Sequence, residues 1–130
     1  MKRPAIWPVC HLPSIKIVAR LHSSSKPYLV FSTVASSKEA HKIATALVRE
    51  KLAACVNLIP TIHSVFWWKG KIDRANETLL MIKTDQKRLS RVEKSILKFH
   101  SYDLPEMIGW PIDWGHKPYL DWLMGSVTSD

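Results

Sequence analysis

Two long β-rich runs on either side of a short polar break constrain this fold more than any other feature. "CVNLIPTIHSVFWW" (55–68) alternates Val56 and Leu58 against Asn57, then continues through Ile62, Ser64 and Phe66. "ETLLMIKT" (77–84) returns as a strongly apolar strand, and "KGK" around Gly70 is the turn between the two. Together they predict a long antiparallel hairpin. Pro60 removes one amide donor from the ladder and implies an edge position or a bulge. A small domain cannot cover so long a ribbon on all sides, so part of it is expected to meet a partner. Trp67 and Trp68 beside the turn are assigned to subunit packing rather than to stacking on a base or sugar.

The remaining elements follow from periodicity. "YLVFSTV" (28–34) reads as a first strand. Ser36 and Glu39 form an S-x-x-E capping box, and Ala40, Ile43, Ala44, Leu47 and Val48 follow at helical spacing. A helix is therefore predicted from Ser37 to about Ala53, with Lys38, His41, Lys42, Arg49 and Glu50 on its solvated face. Asp85 can cap a second helix whose buried stripe is Leu89, Val92, Ile96 and Phe99. "EMIGWPID" (106–113) reads as a fourth strand and "YLDWLMGSV" (119–127) as a closing helix with Leu120, Leu123 and Met124 inward. The order β-α-β-β-α-β plus a terminal helix predicts an α+β, ferredoxin-like sandwich: a four-stranded antiparallel sheet with two helices on one face.

The formal charge of +8 suggests nucleic acid only until it is located. Residues 1–27 hold five of the 19 basic residues and no acid, leaving 14 basic and 11 acidic residues in 28–130, a surplus of three. The basicity thus belongs to the N-terminal extension, and no nucleic-acid partner is expected for the domain at 28–130. "IKIVARLHSSS" can form a short basic amphipathic helix, so the extension reads either as an organellar targeting peptide, with the mitochondrion as destination, or as a disordered tail on a cytoplasmic protein. No run approaches the ~20 apolar residues of a membrane span. The two cysteines, Cys10 and Cys55, do not make a disulfide framework, which fits a reducing intracellular compartment. CxxC, HExxH and glycine-rich phosphate motifs are all missing, so the common zinc and nucleotide-hydrolase chemistries have no support.

The densest group of reactive side chains lies in "FHSYDLPEMIGWPID" (99–113), where His100, Tyr102, Asp103 and Glu106 fall within seven residues. Imidazole, phenol and carboxylate can ligate a transition metal or transfer protons, although such a stretch also serves as a plain helix-to-strand connection. Lys83 closes the most apolar strand and either faces a cleft or snorkels from the rim. Cys55, beside Val56 and Leu58, is expected to be a small core residue. His116 joins His100 only if the C-terminal loop folds back.

"LVREKLAACVNLIP", "SVFWWKGKID", "LLMIKT", "HSYDLPEMIGWPID" and "PYLDWL" occur in the order and spacing of the CutA family, the divalent-cation tolerance proteins. The resemblance covers about residues 28–127. It implies the ferredoxin-like fold assembled as a homotrimer, with hairpins pairing across subunits and Trp67 and Trp68 at the interface. It also implies a role in response to or tolerance of divalent ions, chiefly copper and weakly bound, with no catalytic reaction. Two alternatives come with it. One is a PII-like small-molecule sensor with Lys83, Tyr102, Asp103 and Glu106 lining a cleft near His100; the other is a trimeric scaffold for a protein partner, of the acetylcholinesterase-anchoring type. The family's usual His-Pro-Tyr-Glu-x-Pro-Glu motif is matched here by His100, Tyr102, Pro105 and Glu106, with Ser101 and Asp103 replacing its proline and first glutamate. Copper-binding members are thought to use a first-strand cysteine and two adjacent histidines. Ser32 and Phe99 stand at two of those places, leaving His100 as the metal candidate.

Overall fold

The computed structural model describes residues 25–127, so most of the N-terminal extension, Cys10 included, lies outside the described residues. The elements are β1 (Pro27–Val34), α1 (Ser37–Arg49), β2 (Cys55–Trp68), β3 (Lys71–Asp85), a 3-10 turn (Gln86–Arg88), α2 (Leu89–Phe99), β4 (Ile108–Pro111) and α3 (Lys117–Ser126). The sheet order is β2-β3-β1-β4. β3 runs antiparallel to both β1 and β2, and β4 antiparallel to β1. β1 and β2 are therefore parallel with β3 between them, as are β3 and β4 with β1 between them, and each such pair needs a helical crossover. α1 and α2 supply them, which gives the expected ferredoxin-like sandwich. Among the described residues no helix is long and apolar enough to cross a membrane.

The hairpin forms as its sequence requires. Lys69 (φ 53°) and Gly70 (φ 77°) both take left-handed backbone, the pairing that a two-residue turn needs to follow the twist of its strands. β2 pairs β3 from Trp68↔Lys71 back to Cys55↔Lys83, with a register shift between Ile59 and Ile62. Pro60 lies inside that shift beside Thr61 (φ 60°), so the bulge accommodates the missing amide. β3 begins at Lys71 rather than near Glu77, because the turn carries the polar "KIDRAN" stretch into the ladder. β1 pairs only Thr78–Asp85 of β3, so Ile62–Trp68 and Lys71–Glu77 form a two-stranded arm beyond the sheet. On it Trp67 is 74% exposed, Val65 63% and Ile72 56%.

Val30, Val34, Leu80 and Ile82 of the sheet meet Ile43, Leu47, Val92 and Ile96 of the two helices in one buried cluster. Each such aliphatic side chain contributes about 1.5–3 kcal/mol when fully buried. Leu89 and Phe99 pack at its margin, whereas Val48 falls off the buried stripe and is exposed. Leu123 and Met124 of α3 form a second cluster with Ala54, Ile112, Tyr119 and Trp122. β4 is four residues long rather than eight: it pairs only with Tyr28–Phe31, and Glu106 and Met107 remain in the preceding loop.

α1 also stops earlier than its periodicity predicts, at Arg49 rather than near Ala53. Lys51 turns left-handed (φ 59°), its amide donates to Val48 O (3.0 Å), and Leu52 N–H donates to Leu47 O (2.9 Å). This is a Schellman closure, and it turns Leu52 and Ala53 into the core instead of around the helix. Thr84 Oγ1 then fixes the exit by donating to Leu52 O at 2.6 Å. A side chain at the left-handed position costs about 1–2 kcal/mol. Lys51→Gly is therefore expected to stabilise the fold by about 1 kcal/mol in urea denaturation, and a loss of stability would contradict this account of the helix end.

Candidate functional site

α2 delivers His100 to the end of β1. The His100 amide still donates to Ile96 O (2.9 Å), but its backbone is already extended (φ −78°, ψ 138°), so the chain leaves the helix at this residue. The imidazole is fully buried. Its Nε2 donates to Thr33 O at 2.8 Å, and its Nδ1 accepts the Tyr102 amide at 3.1 Å. Those two contacts together require the tautomer with hydrogen on Nε2.

Three carboxylates contact this ring or the residues that hold it. Glu39 Oε2 lies 3.6 Å from Nδ1 and accepts the Ser101 amide at 2.9 Å. Of the capping box expected at the start of α1, the serine half forms, with Glu39 N–H donating to Ser36 Oγ (3.2 Å). The Glu39 carboxylate instead holds the loop that follows α2. Tyr102 packs on His100 with ring centroids 4.8 Å apart and donates its hydroxyl to Glu77 Oε2 at 2.9 Å. Glu77 is buried on β3 where the arm begins. Glu106 Oε1 lies 3.5 Å from Thr33 Oγ1, a long hydrogen bond. Residues 100–106 thus form a latch across α1, β1 and β3.

The predicted residues divide on this map. His100, Tyr102 and Glu106 come together, whereas Asp103 is exposed and outside the network. Lys83 lies six residues from Glu77 on the same strand, about 20 Å at strand rise, so one chain does not bring it to His100. Its Nζ donates to Asn57 Oδ1 (2.6 Å), lies 4.0 Å from Cys55 Sγ, and sits 5.9 Å from the Tyr119 ring. Cys55 is half-buried at this sheet edge, not a core residue, because strand alternation turns it away from Val56 and the helices. His116 is the exposed N-cap of α3. Trp67 and Trp68 are on the arm, with Lys69 Nζ 5.9 Å from the Trp68 ring. Sequence reading missed Glu39, Glu77 and Thr33. Glu39 was hidden by its place in the cap, and Thr33 acts mainly through a backbone carbonyl.

Among the described residues, the donor set that the resemblance implies for copper does not come together. Ser32 faces the core, and its buried Oγ has no hydrogen-bond partner among the described residues. Phe99 carries Lys42 Nζ and Lys98 Nζ at 5.3 and 5.4 Å from its ring. Among the described residues no three His, Cys, Asp or Glu side chains are grouped to share an ion. A cation at His100 has to displace either the Tyr102 amide or the Thr33 carbonyl.

Burial, and next the hydrogen bond and charge of Glu77, push the Tyr102 hydroxyl up from 10.0 to about 12. A raised folded-state value means that the contribution to stability is complete below pH 10 and is lost as pH rises toward 12. In urea denaturation from pH 9 to 12, the native chain is expected to lose stability more steeply than Tyr102→Phe. Parallel curves would contradict the assignment.

The model of the CutA1 divalent ion tolerance protein family matches residues 28–126. Among curated proteins, Protein CutA 1, chloroplastic, of Oryza sativa subsp. japonica is 43% identical over 112 residues, 84% of this chain but 63% of its own length. This chain therefore spans a little under two thirds of that relative. The divalent-cation tolerance protein CutA of Thermus thermophilus is 40% identical over 95 residues, 73% of this chain and 92% of its own. The crystal structure of CutA1 from Oryza sativa aligns with a TM-score of 0.78 at 39% identity, covering 81% of this chain and 96% of that one. With a family match across the whole sandwich and these relatives on both sequence and fold, the chain belongs to the CutA1 divalent ion tolerance protein family.

Proposed function

We propose that this protein is a non-catalytic, homotrimeric divalent-ion response protein whose contact with copper or a similar cation is weak and centred on His100. The name of the Thermus relative, which specifies divalent-cation tolerance, supports the first part. The observation that carries the weakness is the engagement of both imidazole nitrogens. A metal must give up at least one hydrogen bond, each contributing about 0.5–1.5 kcal/mol, before it gains a ligand. The latch itself does no chemistry in this reading. It holds the loop in place, and an ion binds by opening it.

The homotrimer is supported by surface left uncovered in a single chain. The arm exposes Val65, Phe66, Trp67, Trp68 and Ile72, and the sheet face away from α1 and α2 exposes Ile59, Ile108 and Trp110. Trp110 packs edge-on against Phe31 at 5.1 Å. Apolar surface of this extent on a strand edge is characteristic of an assembly interface. The basic, acid-free leader is read as an organellar targeting segment, in keeping with the chloroplastic name of the rice relative.

Two measurements test these readings. In copper titration calorimetry the native protein is expected to bind weakly and His100→Ala to lose that heat; identical isotherms would remove His100 as the ligand. In light scattering the native protein is expected at three times its 14.9 kDa chain mass. Val65→Asp combined with Trp67→Asp is expected to shift it toward monomer, and an unchanged trimer would place the interface elsewhere.

A further inference from the structure

Charge is not spread evenly over the domain. Residues 37–51 and 86–99, which make α1, α2 and their ends, carry nine basic and three acidic residues, and the rest of 28–130 carries five basic and eight acidic. The helical layer therefore has a surplus of six positive charges, and the remainder a deficit of three. Arg88 of that layer is taken by Asp85, with Nη1 to Oδ2 at 2.8 Å. Most of the other cations are exposed.

Three of them converge. An open groove of about 350 Å³ lies between the exit of α1 and the outer side of α2, lined by Glu50, Leu52, Arg91, Lys94, Ser95 and Lys98. The four α2 residues are spaced i, i+3, i+4 and i+7, which places them on one helix face. Arg91 and Lys94 have neither a hydrogen bond nor an ion pair among the described residues. Lys98 Nζ sits 5.4 Å from the ring of its neighbour Phe99. Ser95 Oγ is buried beneath the same face and has no hydrogen-bond partner among the described residues. This is an accumulation of donors with Glu50 as the single acidic group.

The geometry points to an anion site in this groove, and its charge selects a phosphate monoester. Three cations against one carboxylate leave two positive charges, matching the −1.5 to −2 of a phosphomonoester near neutral pH. A single carboxylate ligand would leave one of these charges unbalanced. The planar guanidinium of Arg91 can bind two phosphate oxygens at once, while Lys94 and Lys98 supply point charges from the same face. The ligand is either a free organic phosphate or the phosphorylated headgroup of a lipid. The groove lies on the helical layer and shares no lining residue with the His100 latch or the arm.

The test follows backbone amide shifts of the full chain during titration with glycerol 3-phosphate, at ionic strength held constant with sodium chloride. A residue-resolved signal is needed because residues 1–27 carry five further cations. Saturating shifts are expected at Arg91, Lys94, Ser95 and Lys98. Arg91→Gln with Lys94→Gln is expected to weaken binding about tenfold or more, through loss of two charge-assisted hydrogen bonds. Glu50→Gln is expected to tighten it by about threefold. Lys38→Gln, on the same layer outside the groove, is expected to leave it unchanged. Co-sedimentation with phosphatidic acid vesicles separates the sources: binding lost in the Arg91/Lys94 double variant identifies a headgroup, and saturation by the free ester alone identifies a small molecule. Linear shifts spread over the whole layer, with no vesicle binding that depends on Arg91 and Lys94, would overturn the site. So would an effect of Lys38→Gln equal to that of the double variant.

Discussion

β3 is paired on both sides over Thr78–Asp85 and on one side only over Lys71–Glu77, and the rest of the molecule is arranged around that change. Where it has two neighbours it supplies Leu80 and Ile82 to the core, and α1 and α2 close over them. Where β1 ends, at Val34↔Thr78, the sheet loses a strand, and β3 continues with β2 as an arm. A ribbon of two strands cannot bury both of its faces, so apolar residues on it remain exposed until something covers them. The length of one strand thus produces both the core and the surface available for assembly.

The candidate site occupies the same boundary. Glu77 is the first β3 residue beyond the reach of β1, and its carboxylate is buried, which demands a donor. Tyr102 supplies one, and the loop that carries it is held by His100 on the Thr33 carbonyl near the end of β1 and by Glu39 on α1. A polar loop at the end of a strand is usually exposed and loosely held. Here side chains from α1, β3 and the loop itself tie it down.

The fold was legible because its signals were periodic and local. Strand β2 runs over the residues its alternation gave, and the turn at Gly70 and the bulge near Pro60 lie where the turn and proline rules put them. Element ends were less legible. Nothing in "REKLAAC" marks Lys51 as left-handed, since glycine is the usual signal there, and the closure depends on tertiary burial of Leu52. The site was half legible for the same reason. His100, Tyr102 and Glu106 are close in sequence, whereas Glu39 and Glu77 reach them from 61 and 25 residues away and depend on the crossovers for their position. The summed charge of the domain also concealed its distribution. A surplus of three over 28–130 is unremarkable, but it is the difference between a basic helical layer and an acidic remainder.

The latch bears on how a protein of this family can respond to an ion. A preformed metal centre needs free lone pairs pointing at a common position, and His100 has its only lone pair committed to the Tyr102 amide. A thiolate in the first strand could offset the loss of that contact. Here Ser32 offers a hydroxyl turned into the core. On the proposal that an ion binds at His100, binding and loop order are in competition: opening the latch frees the imidazole and uncovers Glu39 and Glu77. Glu77 is also the residue at which the two-stranded arm begins, so the Tyr102 contact ties the loop to the base of that arm.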